Sequence, residues 1–575
     1  MRMVLAGTPA SRGMALGRAR LVQPSRHAID QRPLRPEEVP GELARLHQAI
    51  DIARQELREL RGKLHGALAR EVNEFIDAHS LLLDDRELLQ GLDELIQVGH
   101  YRADAALKKQ RDRLVQVFEA MDDPYLRSRK EDVDQVIGRV LAALKRQTSP
   151  EERKLAARVG EILVADTIAP TDMAHLAGHG LLGVVASGSS AYSHSAILAR
   201  SLDLPMVVGA RDALSSIHDD DLILLDAEHG EVIVHPTAPD LARYRAWQRE
   251  AQQQGRRLAA LAHAPTRTRD GVHMRLFANA EMPADIGAAR ACGADGVGLY
   301  RTEFLFLRGK QLPSEEEQFV AYRDLVLGMG GLPVTIRTLD LGADKADAAG
   351  LALRGEDNPA LGVRGVRLSL RHPAVFTTQI RAILRAACYG PVRVLVPMLT
   401  QPDELIAVRT LFKLARQELS RAHVDLPEKL PLGAMIEVPA AAINMRALLA
   451  HADFFAIGSN DLAQYVLAAD RGNDALEGIY HPLQPALLRL IAHVIGLGRR
   501  AGKPVSLCGE IGGDVRLTAL LVALGLTEFS MHPSQLLKVR ERLAGLDRTA
   551  LRACAPRLLR ADTYEDVQAL LDQLA

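Results

Sequence analysis

The sequence predicts a multidomain α/β protein in which an α/β domain with an inserted helical bundle precedes a C-terminal (β/α)8 TIM barrel. After residue 266, short apolar strands alternate with helical segments eight times, as in a barrel of this type. Between residues 36 and 146, apolar residues recur at three- and four-residue spacing, which indicates helices. Strand signals flank this helical stretch on both sides, and 575 residues are enough for three or four domains.

The α/β domain is predicted from strands on both sides of the helical stretch. Residues 1–25 are typical of short strands, and a second group of strands is predicted at Glu161–Ala165, Leu182–Ala186, Met206–Gly209 and Leu222–Asp226. The inserted helices are predicted at Leu43–Leu64, Val72–Leu83, Ala103–Phe118 and Val133–Leu144. We therefore expect an α/β domain of residues 1–30 and 147–236, with a helical subdomain at residues 31–146.

A polar segment and a barrel complete the predicted organisation. Residues 237–265 are rich in Arg, Gln and Ala and predict a linker helix. The barrel, residues 266–575, is predicted from eight strands: Met274–Asn279, Gly296–Tyr300, Val334–Leu339, Val392–Met398, Leu432–Val438, Phe454–Gly458, Val505–Cys508 and Glu528–Met531. In such barrels active sites form at the C-terminal ends of the strands.

Composition argues against several classes of function. A net charge of −1 gives no general reason to expect nucleic acid or an anionic membrane as partner. No apolar run has membrane-spanning length and no secretory signal opens the chain, so we expect no membrane insertion. The four cysteines, Cys292, Cys388, Cys508 and Cys554, lack metal-ligand spacing, and a reduced cytoplasmic compartment is expected.

A single histidine stands out in the first part of the chain. His194 lies between two serines and opens a helix-like run that ends before an apolar strand. Unpaired backbone N–H groups and the helix dipole favour an anion at such a position. A neutral imidazole there can accept a phosphoryl group, whose negative charge then lies in a site suited to it. The alternative is a histidine that only caps the helix or packs in the core.

Polar side chains follow five of the predicted barrel strands at the points where these strands end. They are Arg301 and Glu303, Arg337 and Asp340, Glu437, Asn460 and Asp461, and Cys508 and Glu510. Any one of them could be a structural salt bridge or a strand cap. Because five strands deliver such groups to one face, the sequence predicts an active site there.

The residue types at these strand ends favour phosphoryl transfer. Glu437 and Asp461 offer hard oxygen ligands suited to Mg²⁺, which uses only one or two carboxylates. Three arginines offer planar forks for phosphate and carboxylate oxygens, and Asn460 can donate to one more phosphate oxygen. These arginines are Arg301, Arg337 and Arg471. Positioning and charge neutralisation are the main requirements of phosphoryl transfer.

Cys508 has two open interpretations. A thiol with an ordinary pKa near 8.5 is mostly protonated at neutral pH, so Cys508 could donate a proton. No neighbouring residue in the sequence is a base that would make it a nucleophile. Cys508 could equally be a buried apolar cysteine.

Seven ordered segments of the chain match one enzyme family. They are residues 296–306 (GVGLYRTEFLF), 336–340 (IRTLD), 356–362 (EDNPALG), 436–441 (IEVPAA), 458–465 (GSNDLAQY), 469–473 (ADRGN) and 508–510 (CGE). With these segments in this order, the chain resembles the enzyme I family of the bacterial phosphoenolpyruvate-dependent phosphotransferase system over essentially its full length.

This resemblance implies a function and roles for the candidate residues. The enzyme would transfer the phosphoryl group of phosphoenolpyruvate to Nε2 of its own His194 and then to a histidine phosphocarrier protein (HPr-like), as the general first component of the system. Cys508 would protonate the enolate to give pyruvate, and Glu437 and Asp461 would hold Mg²⁺. Phosphoenolpyruvate would be bound by Arg301, Arg337, Asn460, Asp461 and Arg471.

The resemblance also implies what each domain does. A swivelling phosphohistidine α/β domain would carry His194, and the helical insertion would dock the phosphocarrier. The barrel would bind phosphoenolpyruvate and form a homodimer. Lys345 and Arg364 match charged positions near the phosphoenolpyruvate site, without a defined role.

Three alternatives remain open at this point. Residues 189–194 (SSAYSH) replace the Gly-Gly-Arg-Thr-Ser-His usual in the sugar systems, which leaves room for a nitrogen-regulatory enzyme I. That paralogue carries an added N-terminal sensory domain, for which we expect no room before residue 30. Pyruvate phosphate dikinase and phosphoenolpyruvate synthase need a nucleotide-binding domain that no segment is long or glycine-rich enough to provide. A phospho-relay protein that acts only by binding partners is the third alternative.

Overall fold

The chain forms two compact units, Met1–Gln253 and Gln254–Ala575. The computed structural model describes residues 2–22, 32–63, 76, 79–80, 82–119, 133, 136–141, 143–144, 160–168, 173, 176, 180–188, 194–202, 204–307, 311–342, 356, 358–470, 476 and 479–573. In these residues no helix is both long enough and apolar enough to span a membrane.

The first unit is built on one eight-stranded sheet. Its strands are β1 (Met3–Ala6), β2 (Thr8–Ser11), β3 (Met14–Val22), β4 (Glu161–Ala165), β5 (Gly183–Ala186), β6 (Met206–Val208), β7 (Leu222–Asp226) and β8 (Glu231–Val234). They lie in the order β1-β8-β7-β3-β4-β5-β6-β2, with β3 parallel to β4 and antiparallel to β7. Strands from before and after the helical stretch therefore share one sheet.

Helices connect and flank these strands. They are α1 (Val39–Lys63), α2 (Arg86–Gln97), α3 (Ala103–Glu119), α4 (His194–Ser201), α5 (Ala213–Ser216) and α6 (Ala238–Ala260). Helices α1 and α3 match predicted helices, and every described residue of the predicted Val133–Leu144 is helical, whereas most of the predicted Val72–Leu83 lies outside the described residues. Helix α2 was not predicted; it begins after Asp85, whose carboxylate accepts a hydrogen bond from the N–H of Leu88 at 2.8 Å.

The long helix α6 covers most of the polar segment that was predicted to be a linker. Asp240 in its first turn accepts hydrogen bonds from the N–H and the hydroxyl of Thr237 at 2.9 and 2.6 Å, and pairs with Arg2 at 2.8 Å. These bonds fix the start of the helix. Because the boundary between the two units falls inside α6, the domain bounds at residues 236 and 265 stay a prediction.

The second unit is a closed barrel of eight parallel strands. The strands are β9 (Arg275–Ala280), β10 (Val297–Arg301), β11 (Val334–Arg337), β12 (Val392–Val396), β13 (Leu432–Ile436), β14 (Phe455–Ile457), β15 (Val505–Leu507) and β16 (Glu528–Met531). Each pairs with the next, and β16 closes the ring on β9. The predicted fold class is confirmed, and each barrel strand lies within two residues of its predicted bounds.

Helices surround the barrel strands. They are α7 (Pro283–Ala291), α8 (Glu303–Leu307), α9 (Glu315–Gly328), α10 (Val366–Arg371), α11 (Pro373–Ala386), α12 (Pro402–Arg421), α13 (Pro439–Ile443), α14 (Met445–Leu448), α15 (Ser459–Leu467), α16 (Pro485–Arg500), α17 (Thr518–Leu524), α18 (Pro533–Gly545), α19 (Arg548–Arg560) and α20 (Tyr564–Asp572), with 3-10 turns at Ala387–Tyr389, Glu510–Gly513 and Val515–Leu517.

Strand residues of the barrel are buried on both faces, which explains their nearly continuous apolar runs. One set packs against the surrounding helices, while Leu299, Leu395, Met435 and Ala456 form a separate buried cluster with Cys508 inside the ring. The barrel is therefore a filled core, and polar chemistry is confined to its ends.

Candidate active site

The side chains predicted at the strand ends come together at the C-terminal end of the barrel. Arg301 and Arg337 are the last residues of β10 and β11, and Glu437 directly follows β13. Asp461 lies in the first turn of α15, just after β14, and Cys508 directly follows β15. Because all eight strands are parallel, these positions face the same end of the ring.

Arg337 is buried and paired with two carboxylates. Its Nη2 lies 3.1 Å from Oε1 of Glu303, and its Nη1 lies 3.0 Å from Oδ2 of Asp340. The same Glu303 oxygen accepts the N–H of Asp340 at 2.9 Å. Burial opposes the charge, but the two carboxylates outweigh it and raise the pKa of Arg337, so the guanidinium stays charged.

Arg364 joins the ends of two strands that are not neighbours. Its guanidinium donates to both oxygens of Asp340 at 3.0 and 3.1 Å and to both oxygens of Asp461 at 3.1 and 3.2 Å. Burial alone would raise the pKa of Asp340, but Arg337 and Arg364 outweigh it and lower that pKa. The resemblance gave Arg364 no defined role; in the structure it sets the position of Asp461.

Glu437 is fully buried and has one oxygen without a partner. Its Oε1 accepts the N–H of Met398 at 2.6 Å, whereas Oε2 has no hydrogen-bond partner among the described residues. Burial first, and then the charges of Asp340 and Asp461, raise the pKa of Glu437 to about 8. A cation beside this carboxylate would favour its ionised form and so oppose that shift.

The residues fit a Mg²⁺ ion that is held partly by the protein. The described residues contain no cluster of three or more His, Cys, Asp or Glu side chains placed to hold a metal. Mg²⁺ usually takes one or two carboxylates and completes its shell with waters and substrate phosphates. Glu437 has an unpartnered oxygen, and Asp461 lies close enough to raise the pKa of Glu437. Together the two carboxylates supply that kind of partial site.

Asn460 and Arg301 are each held by a carboxylate. Asn460 donates from Nδ2 to Oε1 of Glu510 at 2.9 Å, and its Oδ1 accepts the N–H of Glu510 at 3.0 Å. Arg301 pairs with Glu281 at 2.5 Å, and its side chain is 26% exposed. Both residues thus have a fixed orientation, and both still reach the open end of the barrel.

Cys508 lies just beneath this charged layer. Its thiol is buried and faces the carbonyl of Ile457 at 3.5 Å. Burial, and secondarily the charge of Glu437, raises the pKa of Cys508 to about 12. The thiol therefore keeps its proton at neutral pH.

The side chains of three predicted residues lie outside the described part of the chain. Arg471 and Lys345 lie outside the described residues. His194 belongs to the first unit, where it is the first residue of α4; its side chain also lies outside the described part. The neighbouring Ser195 is buried and donates to the carbonyl of Ile168 at 2.5 Å, which fixes the start of the helix.

The sequence did not point to several residues that shape the site. Glu281 directly follows β9, so the strand-end rule could have found it. Met398 and Gln379 carried no local signal, because their importance arises from contacts between distant segments. Met398 binds Glu437, and Gln379, in α11, contacts the segments after β10 and β11.

Comparison with known proteins agrees with this geometry. Family models of PEP-utilising enzymes match the chain as the PEP-binding domain over residues 255–548, the N-terminal domain over 6–129 and the mobile domain over 157–230. The chain is 42% identical to a phosphoenolpyruvate-protein phosphotransferase of Cupriavidus necator, covering all of both chains. It is 38% identical to one of Geobacillus stearothermophilus, covering 98% of this chain and 96% of the relative. With one of Listeria monocytogenes the identity is 37% over 100% and 99% of the two chains.

Proposed function

Because this chain belongs to the phosphoenolpyruvate–protein phosphotransferase family, we propose a phosphoryl-transfer route that runs through His194. The protein is an enzyme of phosphoenolpyruvate-dependent phosphotransfer. In our proposal, Nε2 of His194 attacks the phosphorus, and the bond from phosphorus to the enol oxygen breaks. The phosphoryl group then passes from His194 to a histidine of a phosphocarrier protein. The single observation that carries this proposal is the buried cluster of charged side chains at the C-terminal end of the barrel.

Arginine and amide groups would bind the substrate. Arg301 and Arg337 end two different strands and Asn460 follows a third, so they can contact a small dianion from several sides. Arg471 would complete the set, as the resemblance implies. Their present carboxylate partners hold these groups in place before the substrate arrives, which reduces the reorganisation needed on binding.

Cys508 would deliver the proton that completes pyruvate. When the phosphoryl group leaves, the remaining enolate must gain a proton on its terminal carbon. The pKa of about 12 favours a thiol that still carries its proton at neutral pH, as a proton donor must. The resulting thiolate would lie next to buried charges and regain a proton from water before the next cycle.

Glu437 and Asp461 would hold Mg²⁺, as their carboxylates fit such an ion. The ion, when bound, would neutralise charge on the phosphate and on the developing enolate. Arg364 supports this role because it fixes both oxygens of Asp461.

The position of His194 is suited to a phosphorylated side chain. As the first residue of the eight-residue helix α4, it stands beside backbone N–H groups that lack partners within the helix. These groups and the helix dipole favour the negative charge that a phosphoryl group brings.

We infer the partners and the location from the same family relationship. A phosphocarrier protein is the partner, and we assign its docking to the helical subdomain at residues 31–146. We also propose that the enzyme is cytoplasmic and dimerises through its barrel. The nitrogen-regulatory alternative is not favoured, because the relatives above are all named simply phosphoenolpyruvate-protein phosphotransferases.

Labelling with phosphoenolpyruvate tests the proposal directly. Wild-type protein and the variant His194→Ala would be incubated with ³²P-phosphoenolpyruvate and Mg²⁺. We expect acid-labile, base-stable label on the wild type alone. Label that persists on His194→Ala would identify a different acceptor, and an unlabelled wild type would exclude the proposed route.

A further inference from the structure

The side-chain amide of Gln379 is buried, and both its oxygen and its nitrogen are hydrogen-bonded. Its Oε1 accepts the N–H of Leu339 at 3.0 Å. Its Nε2 donates to Oγ1 of Thr302 and to the hydroxyl of Tyr322, both at 3.2 Å. The residue is only 1% exposed, so water cannot replace a lost bond without entering the core.

Two of these three partners lie beside the charged residues of the site. Thr302 stands between Arg301 and Glu303, in the segment that follows β10. Leu339 directly precedes Asp340, in the segment that follows β11. One amide on the outer helix α11 therefore ties together two segments that deliver charged groups to the site.

The direction of each hydrogen bond explains why an amide is needed. The hydroxyl of Thr302 donates its proton to the carbonyl of Arg337 at 3.0 Å, so towards Gln379 it can only accept. The hydroxyl of Tyr322 donates to Oε1 of Gln318 at 3.2 Å, so it too can only accept. The N–H₂ group of Gln379 can donate to both hydroxyls, while its carbonyl oxygen accepts the N–H of Leu339. A carboxylate or an apolar side chain at position 379 would break this pattern.

We infer that Gln379 is a positioning residue for phosphoenolpyruvate binding, acting by fixing the Arg301 segment relative to the Arg337 segment. The inference rests on the proposed function, because it assumes that these two arginines bind the substrate. A small dianion contacted from two strands requires that their guanidinium groups keep a set distance. Among the described residues, Gln379 hydrogen-bonds to Leu339, Thr302 and Tyr322 and to none of the charged side chains of the site.

The test compares substrate binding with folding stability. Gln379→Met keeps an unbranched side chain of similar length. Thr302→Val keeps the shape of the side chain but removes the hydroxyl, and with it both the bond from Gln379 and the direct bond to the carbonyl of Arg337. For each we expect the KM for phosphoenolpyruvate to rise about tenfold, with kcat reduced less than about threefold. Thermal unfolding of each variant is recorded in parallel. If Gln379→Met fails to fold, Gln379→Glu tests the same link at the same residue, because it keeps the oxygen that accepts from Leu339 and loses the N–H₂ group that donates to Thr302.

Tyr322→Phe is the matched control. It removes the one partner of Gln379 that belongs to neither segment, and it leaves a buried N–H unpaired as Thr302→Val does. We expect it to lower the melting temperature but to keep the KM within about twofold of the wild type. An equal rise in KM for Tyr322→Phe, or an unchanged KM for Thr302→Val, would show that the network only supports the fold.

A binding measurement separates this inference from the proposed function. The dissociation constant of phosphoenolpyruvate is measured by calorimetry in a His194→Ala background, where no transfer to that histidine can occur. No binding by the His194→Ala parent would reject the assumed substrate site and with it the proposed function. Equal binding by the parent and by the Thr302→Val double variant would reject the role of Gln379 alone.

Discussion

The backbone N–H of Met398 donates to Oε1 of Glu437 at 2.6 Å, while Met398 itself adopts a φ of +58°. Such a φ is uncommon for a residue other than glycine, and Met398 is also fully buried after β12. This unusual backbone conformation directs an N–H group at one oxygen of the carboxylate. The other oxygen is left with no partner in the described part of the chain.

Replacing Glu437 with glutamine should separate stability from activity. Burial and nearby carboxylates raise the pKa of Glu437 to about 8, well above its ordinary value. The protonated carboxyl is thus favoured by folding, and the stability it contributes at low pH is lost as the pH rises towards 8. In EDTA, the melting temperature of Glu437→Gln should therefore rise relative to the wild type between pH 5 and pH 8.5. A difference in melting temperature that stays constant across this pH range would contradict this expectation. The activity of Glu437→Gln should fall at least about a hundredfold at either pH.

Replacing Arg337 should destabilise the protein more than replacing Arg301, whereas both replacements should weaken substrate binding. Arg337→Met leaves Glu303 buried without this cation and leaves Asp340 paired with Arg364 alone of the two arginines, which should cost about 3–5 kcal/mol of unfolding free energy. Arg301→Met breaks one partly exposed pair and should cost about 1 kcal/mol or less. Both should weaken phosphoenolpyruvate binding strongly. Thermal unfolding and calorimetric titration would check the two effects, and equal losses of stability would contradict the burial argument.

Cys508→Ala should stop pyruvate formation and leave the other half of the reaction intact. Loss of a general acid costs on the order of 10²–10⁴ in rate. Exchange of the phosphoryl group between His194 and a phosphorylated carrier needs no such proton and should continue at the wild-type rate. Cys292→Ala, a partly buried cysteine outside the site, is the control for both assays. Loss of both activities would mean that Cys508 is structural.

The pH dependence of Cys508 follows from its burial. Because burial raises its pKa to about 12, the thiol should stay protonated where an ordinary cysteine ionises, near pH 8.5. The stability it contributes is complete below pH 8.5 and is lost as the pH rises towards 12. Iodoacetamide at pH 8.5 should therefore modify the exposed Cys388 well before Cys508, as mass spectrometry of peptides can measure. Modification of Cys508 first would contradict its burial.

Local sequence pattern was sufficient for most of the fold. The barrel strands were found because burial on both faces leaves long apolar runs bounded by turns. Strand β8 was missed because it has only four residues and follows β7 after a tight turn, where Gly230 has a φ of +74°. Helix α2 was missed although its N-cap, Asp85, gives it a regular start.

The site could be predicted only where strand ends define it. That rule located Arg301, Arg337, Glu437 and Cys508, because each ends a strand or directly follows one. It could not find the bridge that Arg364 makes between Asp340 and Asp461, since that bridge depends on which loops meet in space. The strand-end rule could not identify Gln379 or Met398 either, because their roles also depend on contacts between distant segments.

The order of strands in the first sheet determines when this unit can fold during synthesis. Strand β3 ends at Val22, yet its partners β4 and β7 begin at Glu161 and Leu222. At about 5–20 residues per second, β3 leaves the ribosome on the order of ten seconds before either partner exists. For that time an apolar segment has both edges unpaired, so the nascent chain is a natural client for chaperones that bind extended apolar peptide.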